Sequence, residues 1–126
     1  MQVTEQRYGN ALLLLVAGRL DRDTADILRD ALEPHLENCK PGGHVLLLDF
    51  AGVEYISSMG FQVLLRAQRL IKTQGGSFAL ASLQGAAKSV FETANFGRVI
   101  RCHETVKAAL TEMSYSAFTV YQQQHA

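Results

Sequence analysis

The stretch Leu46-Leu47-Leu48-Asp49-Phe50-Ala51-Gly52-Val53-Glu54-Tyr55-Ile56-Ser57-Ser58-Met59-Gly60-Phe61 changes its pattern twice. An apolar run gives way to a polar turn, and apolar residues at helical spacing resume just past the two serines. That order reads as strand, loop, helix, with Ser57 and Ser58 at the helix start. The first backbone N–H groups of a helix have no partner inside it, and with the helix dipole they favour negative charge. A serine hydroxyl there is well placed to carry a phosphate. Serine is equally a common N-cap, so Ser58 has two readings at this point, cap or phosphoacceptor.

Upstream, Val3 to Tyr8 alternates weakly, Gly9-Asn10 supplies a turn, and Ala11 to Ala17 is a continuous apolar run. An edge strand and a buried strand in a hairpin are expected. Gly18 to Asp21 closes the hairpin; Asp23 is a plausible N-cap, and Ile27, Leu28, Ala31 and Leu32 make a helical stripe that Pro34 is expected to end or kink. Pro41-Gly42-Gly43 leads into a strand from His44 to Phe50.

Downstream, Gly60, Val63, Leu64, Ala67, Leu70 and Ile71 share one helical face, with Gln62, Arg66 and Arg69 opposite. Phe61 and Leu65 lie on the flank, either packed on a neighbouring helix or forming an apolar rim beside Ser58 for a partner. Gly75-Gly76 ends this helix. A strand from Ser77 to Leu83, a helix from Gln84 to Asn95, a short strand at Val99-Ile100-Arg101 and a helix from Glu104 to Met113 follow. The fold class is therefore α/β, with an opening hairpin and then alternating strands and helices, about five strands in a mixed sheet and about four helices. Ser114 to Ala126 carries Tyr115, Phe118 and Tyr121 among polar residues and reads as a mobile tail, or as a strand or clasp against another subunit.

Composition narrows the function. A chain of 126 residues with 48% hydrophobic and 19% charged side chains is enough for one core without disulfide or metal. Twelve basic and twelve acidic residues give a formal net charge of zero, with no basic stripe for nucleic acid. Cys39 and Cys102 read as two reduced thiols in a cytoplasmic protein, with no signal peptide ahead of the fold. The run Ala11 to Ala17 is far short of a bilayer span, so no direct membrane insertion is expected. His35, His44, His103 and His125 are scattered without metal-ligand spacing. A serine hydrolase with Ser58 as nucleophile is strongly disfavoured because Ile56 stands where Gly-x-Ser-x-Gly needs its first glycine, and no P-loop occurs. No internal repeat is evident.

Gly18-Arg19-Leu20-Asp21, then Val45 to Asp49, then Tyr55-Ile56-Ser57-Ser58-Met59-Gly60-Phe61 resemble, in order and spacing, the STAS domain of bacterial anti-sigma factor antagonists. The resemblance covers residues 3 to 112. Members typically carry Asp-Ser-Ser-Gly where this chain has Ser57-Ser58-Met59-Gly60, so Ser58 falls on the phosphoacceptor and Ser57 replaces an aspartate. The resemblance implies a STAS domain at residues 1–113 and a C-terminal extension at 114–126, flexible or a packing arm. It implies an anti-sigma factor antagonist, not an enzyme, with no cofactor or metal of its own. Unphosphorylated, it binds an anti-sigma factor with serine kinase activity and releases the sigma factor; phosphorylation at Ser58, with Ser57 the alternative, ends binding, and a serine phosphatase resets it. Asp21, Ser57, Ser58, Met59, Gly60, Phe61 and Leu65 are the expected partner-binding residues. Asp21 and Asp49 are expected at loop ends near Ser58, to contact the kinase, order the loop, or serve only as turn carboxylates. A homodimer is compatible. The alternative is a non-switching STAS scaffold or accessory subunit of a stress-signalling assembly or a lipid-transporter ATPase.

Overall fold

A computed structural model describes residues 1–125. Strands β1 (Gln2–Tyr8) and β2 (Ala11–Leu20) form the expected antiparallel hairpin, Tyr8 opposite Ala11. Then come α1 (Ala25–Leu36), β3 (Val45–Ile56), α2 (Ser58–Thr73), β4 (Phe78–Ala81), α3 (Gly85–Thr93), a 3₁₀ turn (Phe96–Arg98), β5 (Arg101–His103), α4 (Val106–Met113) and α5 (Tyr115–Gln124). The sheet order is β1-β2-β3-β4-β5, parallel from β2 onward. Because the strands advance across the sheet without reversal, crossovers of one hand put α1, α2 and α3 on the same face.

Both faces of the sheet are covered, which is why β2 reads as an unbroken apolar run instead of an alternation. Leu12, Leu14, Val16, Leu46, Leu48, Phe50 and Leu80 pack with Leu28, Leu32, Leu64, Ile71 and Phe91 of the three helices. Leu13, Leu47, Ala79 and Ala81 face the other way, against Val106, Ala109 and Leu110 of α4 and Ala117 of α5. Among the described residues no helix is long and apolar enough to cross a membrane.

Several boundaries differ from the sequence expectation, each for a local reason. The central strand runs to Ile56, not Phe50: register shifts between Leu15 and Ala17 and between Gly18 and Arg19 absorb the break in alternation, so the turn-like residues stay in the ladder and Val53 and Ile56 still reach the core. The last strand is Arg101–His103, because Val99 and Ile100 are spent closing the 3₁₀ turn through N–H bonds to the Phe96 carbonyl. At the start of α1, Asp21 and not Asp23 holds the free amides, accepting from the N–H of Asp23 at 3.0 Å and of Thr24 at 3.2 Å.

Pro34 does not end α1, which continues to the buried Leu36. The carbonyls left open at that end are taken by side chains from elsewhere in the chain. His44 Nε2 bonds the His35 carbonyl at 2.9 Å, and Gln74 Nε2 donates to the carbonyls of Leu36 and Cys39, each at 2.9 Å. Gln74 follows the last turn of α2, where Gly75 at φ +76° lets two further N–H bonds, Gly75 to Lys72 and Gly76 to Ile71, close a Schellman motif.

The segment after Ser114, expected as a mobile tail or an arm, is helix α5. Ser114 caps it, its Oγ accepting from the Ala117 N–H at 3.3 Å, and Ala117 is fully buried. Tyr121 meets Tyr8 edge-on at 5.1 Å and stacks on His125 at 4.1 Å.

Deleting residues 114–126 uncovers Tyr8 and the adjoining apolar face, so urea unfolding is expected to show a loss of about 2–4 kcal/mol. Burial holds His44 below the ordinary histidine value of 6.5. The folded protein therefore takes up this proton at lower pH than the unfolded chain; the stabilisation is complete above 6.5 and is lost as pH falls towards the folded value. Urea midpoints should drop between about pH 7 and about pH 5, and less steeply in His44→Gln.

Candidate functional site

The ends of β2 and β3 lie side by side, Leu20 paired with Ile56, and the chain turns there into α2. The Ser57 N–H donates to the Leu20 carbonyl at 2.8 Å, which carries the sheet's hydrogen bonding up to the helix start. Ser57, in extended backbone at φ −88°, ψ 171°, is the N-cap: its Oγ accepts from the Gly60 N–H at 3.2 Å and its carbonyl from the Phe61 N–H at 2.9 Å.

Ser58 is the first residue of the helix and is exposed. Of its two readings the cap belongs to its neighbour, so the Ser58 hydroxyl has no hydrogen-bond partner among the described residues. The backbone N–H groups of Ser58 and Met59 likewise have none, as the first turn of a helix requires. A dianion attached here meets open amides and the positive end of a sixteen-residue helix dipole.

Gly60 lies beneath the serines and not on the surface. A Cβ at this position would stand 2.5 Å from Leu20 Cγ and 2.9 Å from its carbonyl oxygen. Its part is to let the first turn approach β2, so it is removed from the surface a partner can touch. Phe61 takes the packing reading: its ring stacks on Phe96 at 3.5 Å and meets Phe91 edge-on at 5.9 Å. Met59, 46% exposed, and the half-buried Leu65 remain beside Ser58 as surface apolar groups.

Asp21 sits next to this turn, one residue after Leu20. Partial burial works to raise its pKa, but hydrogen bonds from the Asp23 N–H and from the hydroxyl and N–H of Thr24, with Arg19 at 3.7 Å, hold it below the usual carboxylate range. The Thr24 hydroxyl also donates to the Arg19 carbonyl at 2.6 Å, and the Arg19 guanidinium lies 4.7 Å over the Tyr55 ring. Asp21 thus orders the loop beside Ser57. Asp49 does not lie at a loop end: it is within β3, opposite Leu15 and Ala81, and accepts from the Ala51 N–H at 3.0 Å. It was expected at the edge only because the strand was expected to stop at Phe50.

From Met59 a groove of about 800 Å³ runs between α1 and α2. Val63, Leu65 and Leu70 line it together with Arg29, Arg66 and Arg69. Arg29 is paired with Asp26 and Arg66 with Glu33, each at 2.9 Å. The sequence pattern placed Val63 and Leu70 on the buried face. The structure leaves Val63 half-buried and Leu70 39% exposed, both lining the groove between α1 and α2. Both cysteines are free, and burial raises the thiol of Cys39 above its ordinary value, away from a reactive thiolate.

Five strands in this order, helices on both faces and a serine pair at the start of α2, Ser57 capping it and Ser58 free, follow the pattern of a STAS domain. The chain belongs to that family, which it matches over residues 2–109. Among individual relatives, it is 20% identical over 113 residues to the anti-sigma F factor antagonist of Paenibacillus polymyxa, covering 90% of this chain and 95% of that one. An anti-sigma factor antagonist from Mycobacterium paratuberculosis shares the fold at a TM-score of 0.79 and 19% identity, over 89% of this chain and 92% of that one. The Bacillus cell fate determinant SpoIIAA shares it at 15% identity in both forms. Its unphosphorylated form superposes at 0.69 over 88% of this chain and 95% of that one. Its phosphorylated form does so at 0.64 over 88% and 98%.

The division of labour between the two serines has a direct check in stability. Ser57→Ala should cost about 1 kcal/mol in urea unfolding, whereas Ser58→Ala should stay within about 0.5 kcal/mol of the parent.

Proposed function

We propose that this protein is an anti-sigma factor antagonist whose binding is switched at Ser58. The observation that carries the reading is the exposed, unbonded Ser58 hydroxyl at the N-terminus of α2, left free because Ser57 makes the cap. The relatives named as antagonists, and the existence of phosphorylated and unphosphorylated forms of SpoIIAA, support it.

In the unphosphorylated state Met59, Leu65 and the groove between α1 and α2 form the docking face for an anti-sigma factor that is also a serine kinase. Asp21 holds the neighbouring loop in shape. The partner supplies ATP, Mg²⁺ and the base; the Ser58 Oγ takes the γ-phosphoryl group, ADP leaves, and the proton passes to the partner. This chain contributes the acceptor and no catalytic group. The product carries about −1.5 to −2 extra charge, held by the open amides of Ser58 and Met59. A partner surface packed against Met59 then has to bury a dianion. Losing about 2.8 kcal/mol of association lowers affinity a hundredfold, which is enough to separate the pair. A metal-dependent serine phosphatase removes the group with water and restores the docking face. All of these partners act in the cytoplasm.

One residue favours a different reading. Ser57 stands where antagonists typically carry an aspartate, and a neutral cap without that charge suits a STAS subunit that binds its partner without turning over phosphate.

The two readings separate experimentally. Incubation with the anti-sigma factor and ATP should add about 80 Da, one phosphoryl group, at Ser58 and not at Ser57. Ser58→Ala should keep binding, while Ser58→Asp should weaken it at least about tenfold, or about 1.4 kcal/mol. Binding with no adduct, and equal affinity for both variants, leaves the non-switching subunit.

A further inference from the structure

The two edges of the sheet differ in how far they are closed to another chain. At one edge β5 is only three residues long, which leaves little backbone to pair with. At the other, β1 is seven residues long and pairs with β2 from Gln2 to Tyr8 without a register shift. It has no proline, lysine or bulge to blunt it. Among the described residues no strand lies on its outer side.

The hydrogen bonding shows which backbone groups that edge offers. The Asn10 carbonyl takes the Val45 N–H, so the even-numbered residues at the start of β2 turn their backbone groups to β3. Ala11, Leu13 and Leu15 therefore turn theirs to β1, where they face Tyr8, Gln6 and Thr4. The N–H and C=O groups of Val3, Glu5 and Arg7 point away from the sheet.

The outward residues include one acid and one base, two positions apart and on the same face. Their side chains are half exposed, 49% for Glu5 and 52% for Arg7, and the contact between them is long at 4.0 Å. Glu5 also approaches His35 at 3.6 Å, again too far for a hydrogen bond. An antiparallel copy of the same strand can meet β1 in several registers, and charge separates them. Centring the pair on Glu5 sets two carboxylates directly opposite, and centring it on Arg7 sets two guanidiniums opposite. Centred on Gln6, each Glu5 faces Arg7 of the other copy, the two residues exchange both backbone hydrogen bonds, and Thr4 faces Tyr8. Opposite charges, and a β-branched residue facing an aromatic one, are favourable cross-strand pairs; like charges are unfavourable. The strand is thus complementary to itself in one register, as a two-fold interface requires.

We propose that two copies of this chain associate by pairing β1 with β1 across a two-fold axis at Gln6, which makes one continuous sheet with Glu5 of each copy opposite Arg7 of the other. The groove between α1 and α2 has no β1 residue in its lining, so this surface is separate from the one beside Ser58.

The test is sedimentation equilibrium of the full chain from about 1 µM to about 1 mM, a range wide enough for the weak association a single strand pair gives. A monomer–dimer equilibrium is expected. Glu5→Arg and Arg7→Glu each place like charges opposite at two points in the dimer, and each should raise the dissociation constant at least about tenfold. Both positions are exposed, so the hairpin is kept. The double variant Glu5→Arg with Arg7→Glu restores the complementarity and should return the constant to within about threefold of the parent. Hydrogen exchange gives the second readout: the Glu5 and Arg7 amides should exchange more slowly as concentration rises, while those of Thr4 and Gln6, already bonded to β2, should not change. A monomer throughout the range overturns the proposal. So does a dimer that the single charge reversals leave unchanged, that the double variant fails to restore, or that protects amides elsewhere and not these two.

Discussion

The placement of the site depends on how closely the first turn of α2 lies on the end of β2. Leu20 makes that contact from both its ends: its carbonyl receives the Ser57 N–H, and its side chain fills the space that a Cβ at position 60 would need. Any larger residue at Gly60 pushes the turn away and takes the serines with it. Because Leu20 is itself fully buried, the turn is fixed to the core of the protein and not to a loop. A hydroxyl so placed is presented at a constant position, which a docking enzyme requires.

Adjacent identical side chains do unlike work here. Ser57 is drawn inward by the Gly60 amide and Ser58 stays outside, so stability and chemistry are carried by different residues. That separation lets a charge be added at position 58 without removing the cap that holds the helix. It also means that the neighbouring amides are already aimed outward, and nothing in the local backbone has to move to receive the charge.

Much of this was legible in the sequence, and what was not shares a cause. The hairpin, the alternation of strands and helices, the serines at a helix start and the glycine after α2 are local patterns, and the residues near them decide them. The length of β3 was hidden because a bulged strand loses its alternation, so Ala51-Gly52 looks like a turn when it is still paired with β2. The continuation of α1 past Pro34 was hidden for a related reason: the carbonyls at its C-terminal end are satisfied by His44 and by Gln74, which follows α2, and no local pattern around Pro34 shows them. Asp49 was misplaced as a consequence of the first error. Phe61 was left with two readings because its partners, Phe91 and Phe96, lie thirty and thirty-five positions further on, where no periodicity links them.

Helix α5 packs back on the opening hairpin. Ala117 packs against Gly9, and the Ser114 hydroxyl bonds the side chain of Asn10, 104 residues earlier. On a ribosome the hairpin emerges well before α5, whose cap Ser114 lies 104 residues beyond Asn10. The Tyr8 side of the hairpin therefore stays open to water until α5 has been made, a sticky surface on the nascent chain that a segment distant in sequence closes.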